Sequence, residues 1–145
     1  MRRNRGFTLI ELMIVVVVAS ILVTLAVASY SQQIRKSRRT DAKTALLALA
    51  GREEQFFSTN NNYSTIPTDL GYTGGAFPVN VGSGYYQVQV NVPAPAAGTP
   101  ATFSLVATPL GDQAKDLQCA SFTVQSTGQQ SSLDSGGADS TASCW

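Results

Sequence analysis

Histidine is absent from this 145-residue chain, which removes the commonest general base and the commonest transition-metal ligand. A glycine-rich loop followed by Lys-Ser or Lys-Thr is missing too, so no segment is built to cradle nucleotide phosphates. The pairs Lys115-Asp116 and Glu53-Glu54 and the many serines offer no nucleophile with a base beside it in sequence. The expectation is a protein that is not an enzyme and that uses no cofactor and no metal. Charge is scarce as well, at 13% of residues with a formal net charge of +1, and no overall basic character argues for nucleic acid. Between Phe7 and Ala28 the only ionisable side chain is Glu11, and no proline occurs before Pro67.

What is present is a long apolar run. Phe7 to Ala28 is 22 residues, about 33 Å as a helix at about 1.5 Å per residue, enough to cross a hydrocarbon core of roughly 30 Å. One reading is a secretory signal, with a basic start and a cut after Ala26-Val27-Ala28. Against it, the run exceeds a usual signal core and Glu11 interrupts its start. A second reading is a plain membrane anchor. Arg2, Arg3 and Arg5 precede the run and Arg35, Lys36, Arg38 and Arg39 follow it, so flanking charge does not orient it.

A third reading accounts for the lone carboxylate. A short basic leader ending in Gly6, then Phe7-Thr8-Leu9-Ile10-Glu11-Leu12, resembles the N-terminus of type IV pilins and pseudopilins. The resemblance implies cleavage between Gly6 and Phe7 by prepilin peptidase and N-methylation of Phe7. It also implies that Glu11 meets the N-terminal amine of a neighbouring subunit and sets register. A carboxylate left alone in lipid costs several kcal/mol, and a cationic partner offsets much of that. The bland reading beside it places Glu11 at the headgroup level with no assembly role.

The helix is expected to continue. Ala42, Ala45, Leu46, Leu49, Phe56 and Phe57 recur at helical spacings, a stripe that Glu53 interrupts, and the helix should stop near Ser58 to Asn62. Alternating strands are expected at Tyr85–Val92, Thr102–Thr108 and Cys119–Gln125. The fold class is therefore α+β: a long N-terminal helix packed on a small antiparallel sheet. The segments are a leader (1–6), an apolar assembly helix (7–28), an amphipathic helix (29–57), a connecting loop (58–84), the sheet (85–126) and a tail (127–145). The loop is long for a compact domain, which points to a functional role or a contact surface.

Resemblance extends into this half. Phe56-Phe57-Ser58-Thr59-Asn60-Asn61-Asn62-Tyr63-Ser64, Asp69-Leu70-Gly71, Tyr85-Tyr86, Ala107-Thr108-Pro109-Leu110-Gly111-Asp112-Gln113, Asp116-Leu117-Gln118-Cys119 and Cys144-Trp145 are similar to the PilE-type minor pilins of Gram-negative bacteria. In an exported chain the two cysteines invite a Cys119–Cys144 disulfide, closing a loop of about 26 residues and worth roughly 3 to 4 kcal/mol. Free thiols or metal ligation are the alternatives, the latter poorly served by two Cys and no His. Such a staple is wanted because Gln125 to Trp145 has only Leu133 and Trp145 as large apolar groups. Asp134 and Asp139 are too sparse a ligand set for calcium.

The resemblance implies a minor subunit of a type IV pilus, supporting pilus biogenesis, twitching motility and adhesion. Its partners would be other pilin subunits, prepilin peptidase and the inner-membrane assembly platform. Before assembly it would sit as a single-pass inner-membrane protein with its domain in the periplasm, and afterwards in the extracellular filament. Rivals are a major pilin, a type II secretion pseudopilin, a DNA-uptake receptor and a soluble protein cut after Ala28. The basic cluster Arg35, Lys36, Arg38 and Arg39 is a candidate contact for phosphate or lipid headgroups, or simply a solvated stretch of helix.

Overall fold

The computed structural model of the chain describes residues 7–145, apart from the side chains at positions 25, 27 and 28. One helix, α1, runs Leu9–Asn60, and two compact units divide within it, between Lys36 and Ser37. Without proline, nothing interrupts its backbone hydrogen bonds. It stops inside the expected Ser58–Asn62 window, where Asn61 takes the left-handed conformation (φ 53°) that asparagine tolerates.

In the unit Met1–Lys36 the described helical residues expose their side chains from Leu9 to Val23, as an apolar run must when nothing in its own chain covers it. Two polar side chains in this run satisfy themselves on the helix backbone. Ser20 Oγ donates to Val16 O and Thr24 Oγ1 to Ile21 O, each at 2.7 Å, so neither needs water.

In the unit Ser37–Trp145, α1 lays Ala42, Leu46 and Leu49 into a core with no exposed surface. Five antiparallel strands follow as a meander in the order β1-β2-β3-β4-β5: Val79–Val81, Tyr86–Asn91, Ser104–Pro109, Ser121–Gln125 and Gln130–Leu133. Alternation selects the face. Tyr86, Val88 and Val90, then Leu105 and Ala107, then Phe122 and Val124 are buried, while Gln89 and Asn91 point out.

The three expected strands are β2, β3 and β4. The two additional ones were illegible for physical reasons. β1 is only three residues long and follows Pro78 directly, and β5, Gln-Ser-Ser-Leu, has little β propensity; both are edge strands held by backbone pairing to one neighbour. The β1–β2 turn depends on Gly82, whose φ is +57° and where a Cβ would stand 3.0 Å from Asp41 Cβ on α1.

The tail is held by more than its staple. Cys119 and Cys144 are joined, with Cα atoms 5.9 Å apart. In addition, Ala120 N donates to Leu133 O, Ser140 N to Ser132 O, and Trp145 Nε1 to Ser131 O at 2.7 Å, while the indole stands edge-on to Phe122 at 5.8 Å. Hydrogen bonding thus orders a segment too polar to order itself by burial.

Candidate functional site

Thr8-Leu9-Ile10-Glu11 sits where α1 begins. Thr8 precedes the first helical residue, Glu11 N donates to Thr8 Oγ1 at 3.4 Å, and Thr8 Oγ1 lies 3.5 Å from Glu11 Oε2. These long contacts have half the pattern of a capping box, with an acid in the first turn complementing the helix dipole. Glu11 therefore has a local role in starting the helix, which the spacing Thr-x-x-Glu could have revealed. The carboxylate remains exposed, and so does Phe7, at 83%. Gly6 and the Gly6–Phe7 peptide bond lie outside the described residues.

From Leu9 to Leu22 the large apolar side chains are about half exposed or more, from 49% at Val18 to 79% at Leu9. By length and composition α1 can cross a membrane, and none of its most apolar window is buried within the chain. A contiguous apolar surface of this size requires lipid or other protein.

The four residues of the basic cluster have different surroundings. Arg39 turns inward at 7% exposure: Nε donates to Asp116 Oδ2 at 2.7 Å and Nη2 to Asp116 Oδ1 at 2.8 Å, with Gln118 Oε1 at 3.3 Å. This two-pronged geometry suits guanidinium and carboxylate. Gln113 Nε2 extends the network to Asp116 Oδ2 and, at 3.0 Å, to the Tyr86 hydroxyl. Burial pushes the Tyr86 phenol up to about 12, with the Gln113 hydrogen bond pulling the other way. So Arg39, expected among the phosphate-facing residues, instead fastens α1 to the β3–β4 connection, because a buried Asp116 needs a cation there. Arg38 lies over the Tyr85 ring at 3.6 Å. Arg35 is half-buried and Lys36 exposed, both on the other side of the division between the units.

Asp134 and Asp139 serve as turn acceptors. Asp134 Oδ1 takes the N–H groups of Gly136 and Ala138, and Asp139 Oδ1 takes the N–H and hydroxyl of Thr141. Those hydroxyl and N–H bonds hold the exposed Asp139 carboxyl below the usual carboxylate range.

Sequence comparison joins these two kinds of helix in one family. Residues 1–27 match the prokaryotic N-terminal methylation motif, and residues 28–123 match the family described as type IV minor pilin ComP, DNA uptake sequence receptor. The chain is 37% identical over 105 residues to the type IV major pilin protein PilA of Myxococcus xanthus (strain DK1622), which covers 68% of this chain and 48% of that protein. It is 35% identical over 70 residues to the type II secretion system core protein G of Klebsiella pneumoniae (48% of this chain, 50% of the relative). To the protein of the same description from Dickeya chrysanthemi it is 33% identical over 70 residues (48% and 46%). The chain spans about half the length of the curated relatives it matches. The methylation motif together with the apolar helix suits anchoring in the inner membrane. The chain belongs to the type IV pilin superfamily, within the family described as type IV minor pilin ComP, DNA uptake sequence receptor.

Proposed function

We propose that this chain is a minor subunit of a type IV pilus that supports pilus biogenesis, twitching motility and adhesion and performs no catalysis. Prepilin peptidase cleaves between Gly6 and Phe7, Phe7 is N-methylated, and the subunit waits in the inner membrane with its domain in the periplasm. The assembly platform then draws it into the filament. The observation that carries this reading is the uncovered apolar surface of α1 from Leu9 to Val23, on a chain whose sheet-bearing unit buries its own apolar core. The exposure of Glu11 in the first turn supports a meeting with a neighbouring subunit's N-terminal amine as the helices leave lipid. The test is quantitative mass spectrometry of sheared pili. A low ratio of this chain to the dominant subunit, together with loss of piliation on deletion, supports the minor role; a ratio near one makes it the major pilin. Loss of enzyme secretion on deletion, with no accumulation in surface pili, makes it a pseudopilin.

A second reading, DNA reception, is favoured by the description of the family that matches residues 28–123. Weighing against it, the stretch from Ser37 to Trp145 carries five basic against eight acidic residues, and Arg39 is held in its buried pair. Salt-sensitive retention of duplex DNA by the full chain in detergent would support reception, and no retention at low salt would remove it.

A further inference from the structure

A carboxylate sits inside the core and forms no salt bridge among the described residues. Glu53 follows Ala42, Leu46 and Leu49 on the buried face of α1 and has no exposed surface. Its Oε2 accepts the Ser64 N–H at 3.1 Å, and its Oε1 is buried without a hydrogen-bond partner. Over it lies the strap Tyr63–Gly71, which α1 holds through consecutive side chains. Arg52 Nη1 donates to Leu70 O at 2.7 Å, Glu53 accepts from Ser64, and Glu54 Oε1 accepts the Tyr63 hydroxyl at 3.0 Å. Outside the strap, Arg52 also lies over the Tyr72 ring at 4.8 Å.

We propose that Glu53 is a proton-operated fastening for this strap: protonated, it fits the closed strap; ionised, it loosens it. The surroundings give the sign. From α1, Glu54 adds like charge, and the neighbouring Arg52 spends its guanidinium on strap carbonyls. From the strap come the Tyr63 phenol and the Asp69 carboxylate, the latter engaged by Ser64 Oγ at 2.7 Å. The sheet turns the apolar Val88, Val90 and Leu105 into the core of the same unit, and its Tyr86 is tied to Gln113. Burial pushes the Glu53 carboxyl up, the Ser64 N–H pulls it down, and Glu54 pushes it up again. In the opened strap Glu53 regains the ordinary value of an exposed glutamate. Below that value both states are protonated and closure is at full strength. As pH rises the open state ionises first, so closure weakens until pH passes the value Glu53 has in the closed strap, and then levels off.

This device belongs to the sheet-bearing unit and stands whether or not the chain is a filament subunit. The test is hydrogen exchange by mass spectrometry on the full chain in detergent, from pH 5 to pH 8, corrected for intrinsic exchange. In the wild type, protection across residues 63–71 falls by about tenfold for each unit that closure raises the Glu53 carboxyl. In Glu53→Gln, which keeps an oxygen for the Ser64 N–H and cannot ionise, protection is flat with pH. Glu54→Gln retains the dependence. Equal pH dependence in wild type and Glu53→Gln, or none in the wild type, overturns the proposal. A carboxyl-carbon titration of wild-type Glu53 gives a second measurement that does not need the variant to fold: a midpoint above the exposed glutamates agrees, and an ordinary midpoint contradicts.

Discussion

Along α1 the same side-chain chemistry meets two opposite fates. Leu9, Leu12 and Leu22 are 60% exposed or more, whereas Leu46 and Leu49, about seven to eleven turns on, have no exposed surface at all. Both stretches are helical, so propensity does not separate them. The difference lies in what surrounds the stripe: near the N-terminus apolar residues continue right round the helix, while after Ser37 they occupy one face among Thr40, Thr44, Arg52 and Gln55. A helix apolar on all sides needs a surrounding phase, and one apolar on a single side needs only a partner. One element thus leaves its apolar surface uncovered at one end and packs into a folded domain at the other.

Placing charge in the all-round apolar stretch breaks this comparison most sharply. Val16→Asp with Leu22→Asp adds about 2.5 to 3.5 kcal/mol of insertion cost per residue. Carbonate extraction should find the full chain lost from the membrane fraction. In the sheet unit, Arg39→Ala leaves Asp116 buried without its cation and should destabilise by about 3 to 5 kcal/mol, read by denaturant unfolding in detergent. Replacing both cysteines, Cys119→Ser with Cys144→Ser, removes roughly 3 to 4 kcal/mol on the chain-entropy account and should free the tail first, visible as exchange of the amides from Ser140 to Trp145. The smallest effect expected is at Gly82→Ala, about 1 to 2 kcal/mol, where a Cβ meets both a left-handed φ and Asp41. None of the last three should alter membrane association, which depends on the other stretch.

The sequence made the helix, its end, the three central strands and the cysteine pairing legible, because each rests on local signals: periodicity, alternation and residue type. Edge strands β1 and β5 escaped because their structure comes from a neighbour's backbone and not from their own side chains. The pairing of Arg39 is illegible for a related reason. Four basic residues within five positions look like one surface, yet their directions diverge around the helix, and the partner that draws Arg39 inward, Asp116, is 77 residues away. Glu53, which interrupts the apolar stripe in sequence, is buried with the stripe in the fold, because Ser64 N–H supplies an acceptor's partner that no pattern announces.

The central claim, that this chain is processed and assembled as a pilin, is tested most directly by intact and N-terminal peptide mass spectrometry of membrane and sheared-surface fractions under non-reducing conditions. The account predicts a chain beginning at N-methylated Phe7, with Cys119 joined to Cys144, in both fractions. A chain beginning at Ser29 would contradict it, since the helix that carries Glu11 and the uncovered apolar surface would then be discarded before any filament could form.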